Sequence, residues 1–161
     1  MVILIIFNQK DKNLGDQKSI LFIIGGGIAA YKSLEIIRGL KKVGAKVRAI
    51  LTNGGSQFIT PLSVSSLTGE KTYTDLFSLY DETEMGHIRL SREADLIVVS
   101  PATADIIAKM ANGFAGDLAS TTILANNKPI LICPAMNLEM WENPATQKNI
   151  NILKNNGVLI V

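Results

Sequence analysis

The amino-acid sequence predicts one α/β domain in three layers, a mostly parallel sheet with helices on both faces, and three observations point there. From Ser19 onward, short apolar runs alternate with stretches of helical periodicity, the order expected of repeated βαβ units. The runs carry no polar alternation, so both faces of each strand should be covered. The first run passes through Gly25, Gly26 and Gly27 straight into a helical stretch, as a tight strand-to-helix turn requires. The 161 residues, 47% hydrophobic and 19% charged, amount to one ordinary domain that can bury a core without staples. No internal repeat, low-complexity tract or linker divides them.

Each element follows in order. Met1 to Phe7 (MVILIIF) is apolar but far shorter than the roughly 18 residues of a spanning helix, and it lacks the basic start and cleavage site of a signal peptide. Residues 8–18 are polar and turn-rich, so the domain is expected over 19–161, with 1–18 an N-terminal arm, disordered or an extra strand, or an overextended start. Strands are expected over 20–24, 46–51, 96–100, 129–133 and 158–161, with a shorter one near 71–73. A helix over 30–43 places Leu34, Ile37 and Leu40 on one face and closes with Lys41, Lys42 and the stop residue Gly44. Further helices are expected over 103–110, 118–125 and 146–155, and another around His87 that ends near Ala94.

Charge and cysteine usage exclude several function classes. A net charge of +2 on scattered basic residues argues against nucleic acid or an anionic membrane as partner. Cys133 is the only cysteine, so there is no disulfide framework and no cysteine-based metal site, which fits the reducing cytoplasm of a soluble protein. Lying inside an apolar run, Cys133 is a packing residue first.

Four short segments carry possible chemistry. Pro134-Ala135-Met136-Asn137-Leu138-Glu139-Met140-Trp141 follows an apolar run, where ligands of parallel sheets bind. Asn137 can offer an amide N–H to a carboxylate without adding charge, and Met140 and Trp141 can wall off water; the plain alternative is a turn packed on the next helix. Gly25-Gly26-Gly27-Ile28-Ala29-Ala30 can meet a phosphate at a helix start and fits the G-x-G-x-x-A dinucleotide pattern. That pattern demands an acidic residue at the end of the second strand, and Thr52-Asn53 stands there instead. A hydroxyl and an amide suit a terminal phosphate, which favours a mononucleotide; a glycine turn needed only for close packing is the alternative. Ser100-Pro101-Ala102-Thr103-Ala104-Asp105 gives a flat ring room to approach the backbone, although capping alone would explain Thr103 and Asp105. His87 is the only histidine, and near a helix start it should stay neutral and able to accept a proton near pH 7. One imidazole makes no metal site by itself.

Together, GGGIAAYK at 25–32, MGHI at 85–88, SPATAD at 100–105 and PAMNLEMW at 134–141 resemble the flavin-containing cysteine decarboxylases, in particular the phosphopantothenoylcysteine decarboxylase domain of the bacterial bifunctional coenzyme A biosynthesis flavoproteins. The connecting segments 58–62 and 115–120 agree, and the resemblance spans roughly Ser19 to Val161. It implies a Rossmann-like or flavodoxin-like fold that binds FMN, assembled as homotrimers or dodecamers with sites between subunits. By motif position, Gly26, Gly27, Ile28, Thr52, Phe58, Thr103, Ala104, Asp105, Ile106 and Ala135 would contact FMN. His87 matches the family's catalytic histidine, and Asn137 and Met140, with Met136 beside them, match its substrate-binding residues, Asn137 on the substrate carboxylate. The implied substrate is the small molecule 4'-phosphopantothenoyl-L-cysteine, converted to 4'-phosphopantetheine. Its thiol is oxidised by FMN to a thioaldehyde, carbon dioxide leaves, and an enethiolate results.

The pattern departs from this family in two places. Complete enzymes return the electrons to the enethiolate with a cysteine on a flap beyond the last strand as proton donor; the present sequence reaches Val161 before that flap, and Cys133 lies upstream of the substrate loop. Carbon dioxide release with poor conversion to phosphopantetheine is therefore expected of it. Asp105 and Ile106 stand where the plant and lantibiotic branches carry Asn and Thr, as in the bacterial bifunctional branch. The alternatives are a lantibiotic-type oxidative decarboxylase of peptide C-terminal cysteine and a non-catalytic flavin-binding or regulatory relative. The Asn-x-x-Met-Trp segment and His87 argue against the flavin prenyltransferases.

Overall fold

The computed structural model describes residues 18–75 and 86–161, with the backbone only for Gly86 and His87. Up to residue 17 the expected arm lies outside the described residues. Six strands form one sheet, β1 (Ser19–Ile24), β2 (Lys46–Leu51), β3 (Thr72–Tyr73), β4 (Leu96–Ala102), β5 (Ile130–Pro134) and β6 (Leu159–Ile160). Their order is β3-β2-β1-β4-β5-β6 and every pairing is parallel. Between them run helices α1 (Ala30–Lys42), α2 (Pro61–Thr68), α3 (Gly86–Arg92), α4 (Ala104–Asn112), α5 (Leu118–Leu124), α6 (Leu138–Glu142) and α7 (Pro144–Asn155).

The unalternating apolar runs have the cause expected of them. Ile20, Phe22, Ile24, Val47, Ala49, Leu51, Val98 and Leu131 pack on one face against Ile37 and Leu40 of α1 and Val64 of α2. Leu21, Ile23, Ile50, Ile97, Val99 and Ile132 pack on the other against Leu90 of α3, Ile106 and Ile107 of α4, Ile123 of α5 and Ile150 and Leu153 of α7. Each fully buried side chain of this size contributes roughly 1.5–3 kcal/mol, so a one-residue slip of any central strand would forfeit several such terms at once.

The structure adjusts several expected boundaries. Strand β4 runs past Ser100 to Ala102, with a shift in register between Val99 and Ala102 that lets Ala102 pair with Pro134. Helix α7 begins at Pro144, because the Asn143 side chain accepts from the Ala145 N–H (2.9 Å) and a proline is at ease in a first turn. Two helices were not expected at all. Helix α2 has no apolar stripe but strong ends: the Thr60 hydroxyl oxygen accepts from the Ser63 N–H (3.1 Å), Pro61 opens the first turn and Gly69 closes it at φ 72°. Helix α6 occupies part of what reads in sequence as a loop, 134–141.

Candidate active site

The strand order reverses between β1 and β4, whose following chains leave toward opposite edges of the sheet, and a crevice opens beyond their carboxyl ends. A cavity of about 1240 Å³ lies there. That exceeds the roughly 300–1,000 Å³ of an ordinary small-molecule pocket and leaves room for two ligands side by side. The turn after β1 contributes Gly26, Gly27, Ile28 and Ala29, and the turn after β2 contributes Thr52, Asn53 and Gly54. The turn after β4 contributes Thr103, Ala104, Asp105 and Ile106, and the segment after β5 contributes Ala135, Met136, Asn137 and Met140.

The glycine turn serves packing and access at different positions. A Cβ on Gly25 would stand 2.3 Å from the Pro101 carbonyl oxygen, and one on Gly26 would stand 2.7 Å from the Gly54 backbone. Those two glycines let neighbouring turns touch, whereas a Cβ on Gly27 would meet nothing within 4 Å. No side chain caps the start of α1, so the helix end behind Gly27 and Ile28 faces the cavity with its N–H groups uncovered. Thr52 lines the cavity, but its hydroxyl donates to the Ile24 carbonyl (2.9 Å) and accepts from the Gly55 N–H (3.0 Å). Its work is to tie the β2 turn to β1, and the Asn53 side chain is the more available polar group.

Asn137 is the N-cap of α6. Its Oδ1 accepts from the Met140 N–H at 2.8 Å, which fixes the amide plane and leaves Nδ2 as the outward donor. Met136 and Met140 line the same cavity. Trp141 does not wall this space: it packs against the core and borders a smaller hollow with Pro134, Lys154 and Ile160, because α6 turns it away. Phe58 lies outside the cavity wall as well, after the short 3-10 turn Gly55–Gln57, and is 48% exposed. The backbone of His87 sits in the first turn of α3, and its side chain lies outside the described residues.

Charge at the cavity rim is organised by Lys109. Its ammonium lies 2.8 Å from Asp105 Oδ2 and 2.9 Å from Asp117 Oδ2. The hydrogen bonds to Asp105 and then Asp117 outweigh partial burial and raise the Lys109 pKa above its ordinary value. Burial pushes the Asp117 carboxyl up, but the Ser120 N–H, Lys109 and the Ser120 hydroxyl together hold it below the usual range. Burial pushes the Cys133 thiol up, against a hydrogen bond with Ser100. Among the described residues no group of acidic, histidine or cysteine side chains could hold a metal ion.

A family model described as Flavoprotein matches residues 8–161. The chain belongs to the Flavoprotein family. The coenzyme A biosynthesis bifunctional protein CoaBC of Vibrio vulnificus (strain YJ016) is 46% identical over 143 residues, 89% of this chain and 36% of that relative. The chain thus spans about a third of the length of the curated relatives it matches. Among solved structures, the FMN-dependent cysteine decarboxylase SpaF superposes with a TM-score of 0.82 at 30% identity, over 92% of this chain and 85% of that one. A PPC decarboxylase mutant complexed with pantothenoylaminoethenethiol gives 0.78 at 27% identity, over 91% and 82%.

Within this Flavoprotein domain the structure also brings forward residues that sequence reasoning did not single out. Asn53, Lys109 and Asp117 line the cavity, as do Thr74 and Asp75 after β3. A signal for the Lys109 cluster was present in part, since Asp105 and Lys109 stand one helical turn apart, but Asp117 reaches them only through the fold. No helix among the described residues is long and apolar enough to cross a membrane.

Proposed function

We propose that this chain carries FMN-dependent decarboxylation of 4'-phosphopantothenoyl-L-cysteine, on the way to 4'-phosphopantetheine in coenzyme A biosynthesis. The observation that carries the reading is the cavity itself, where the glycine turn, the small-residue turn after β4 and the Asn137 amide line one space. The names of its relatives, CoaBC and PPC decarboxylase, support the same assignment.

The residues present fit FMN. The uncovered N–H groups at the start of α1, with Asn53 beside them, suit its phosphate. Ala104 and Ala135 place only methyl groups where a flat ring would lie, and Ile106 adds an apolar edge. When bound, FMN supplies a two-electron acceptor for the oxidation of the substrate thiol. Asn137 donates from Nδ2 to the substrate carboxylate, and being neutral it orients that group without a charge that would oppose its loss. Met136 and Met140 keep water from the reacting end. His87 accepts the thiol proton, its place in the first turn of α3 favouring the neutral imidazole.

We also infer a homotrimer, or a dodecamer built from trimers, with each site completed by a neighbouring subunit. The apolar side chains of Ile28, Phe58 and Leu62, exposed by 77%, 48% and 74%, support such a boundary. A reducing, cytoplasmic setting goes with the single thiol, Cys133.

The test is to release and identify any cofactor from the purified protein, then supply the substrate and measure carbon dioxide. Stoichiometric FMN with carbon dioxide release supports the reading. Loss of carbon dioxide plus two hydrogens from peptides ending in cysteine, with no action on the pantothenoyl substrate, would assign the lantibiotic-type activity instead. Tight FMN binding without any turnover would make the chain a non-catalytic flavin binder.

A further inference from the structure

Arg48 is the only charged side chain fully buried among the described residues, 6% exposed on the same face of β2 as Ile50. Its Nη1 donates to Glu93 Oε2 at 2.6 Å, while its Nε finds no partner among the described residues. Glu93 continues the last turn of α3, its N–H donating to the Arg89 carbonyl (3.1 Å), and its Oε1 lies 3.6 Å from Arg89 Nε. Two features of this pair go against stability. A carboxylate at a helix C-terminus opposes the helix dipole, and a buried arginine is commonly matched or bettered by an apolar residue of similar size.

What the pair offers is location. Helix α3 has seven residues, too few to hold itself, and Leu90 is the one large side chain it buries in the core, beside the small Ser91. A single leucine lets a short helix slide and turn on the sheet, whereas a directional bond from a strand fixes both. That strand, β2, continues through Ile50 to Thr52 at the cavity wall, and the helix it anchors opens with His87, six residues before Glu93. We propose that Arg48 and Glu93 are positioning residues that set His87 against the cavity, an inference that rests on His87 being the proton acceptor.

The test uses the FMN-loaded protein with Arg48→Met and Glu93→Gln combined, so that no buried charge is orphaned and the fold is kept. The expected result is unchanged flavin content, KM within about twofold, and kcat lowered by about 10- to 100-fold, as for a group displaced by a fraction of an ångström. Because His87 is the chain's only histidine, its imidazole signals in a proton–carbon correlation spectrum are unambiguous, and they should shift in the double variant. Arg48→Lys, which keeps the charge but loses the fork geometry, should restore part of the rate. Unchanged kcat and unchanged imidazole signals in the double variant overturn the proposal. His87→Asn separates the two readings: full activity in that variant refutes His87 as proton acceptor, while the imidazole shift still decides whether Arg48 and Glu93 place it.

Discussion

Replacing Asn137 by aspartate separates its two roles. Aspartate caps a helix as well as asparagine, so the bond now made from the Met140 N–H to Oδ1 survives and the melting temperature should move by no more than about 2 °C. The outward Nδ2 donor, however, becomes an anionic oxygen facing the substrate carboxylate. Losing a hydrogen bond to a charged group costs about 1.5–3 kcal/mol. Two unit charges about 4 Å apart near a protein surface repel by about 4 kcal/mol. The sum, about 5.5 kcal/mol or more, corresponds to a loss of roughly 10⁴ in kcat/KM at 1.36 kcal/mol per tenfold. The assay is carbon dioxide release over a range of substrate concentrations, with flavin absorbance and thermal melting on the same samples. A variant that keeps kcat/KM within tenfold of the parent, with flavin bound, would refute the placing of Asn137 on the carboxylate.

Other outcomes follow from the same geometry. Gly25→Ala forces a Cβ to within 2.3 Å of the Pro101 carbonyl oxygen and 2.9 Å of Ile106 Cδ1, so it should destabilise by about 1–3 kcal/mol or more in denaturant melts. Gly39→Ala, exposed within α1 and with nothing within 4 Å of the new methyl, should stabilise by about 0.5–1 kcal/mol in the same experiment. Asp117 has a lowered folded-state pKa, so its contribution is present above the ordinary carboxylate value and is lost as pH falls through the lowered one; Lys109, raised, contributes below its ordinary value and loses that as pH rises through the raised one. The stability gap between the parent and Asp117→Asn should therefore be flat near neutral pH and close in acid, as urea midpoints at each pH will record. Burial raises the Cys133 thiol pKa, so the folded protein should react with iodoacetamide at neutral pH much more slowly than the urea-unfolded chain.

The sheet was legible because each central strand is apolar on both faces: Phe22 and Ile23 point into different clusters and neither position tolerates a polar residue. Helix α2 was hidden because Ser63, Ser65 and Ser66 blur any stripe, and its signals, Thr60-Pro61 and Gly69, lie in the caps rather than the periodicity. The site was legible where motif residues fall on turns after strands, as at Gly27, Ala104 and Asn137. It was obscure where a side chain's direction decides the matter. Trp141 sits one residue from Met140 yet α6 turns it into the core, and the Thr52 hydroxyl is committed to Ile24 and Gly55 in bonds that cross between strands. The pairing of Lys109 with Asp117 depends on the chain folding back between α4 and α5, which no local pattern encodes.

The most direct test of the central claim is to incubate the FMN-loaded protein with 4'-phosphopantothenoyl-L-cysteine labelled at the cysteinyl carboxyl carbon and to collect the gas. Carbon dioxide release reports the step that Asn137 and His87 are assigned and is independent of what becomes of the sulfur-bearing product. The account predicts labelled carbon dioxide from the parent protein and its loss in His87→Asn with flavin still bound; a folded, FMN-loaded parent that releases none would contradict it.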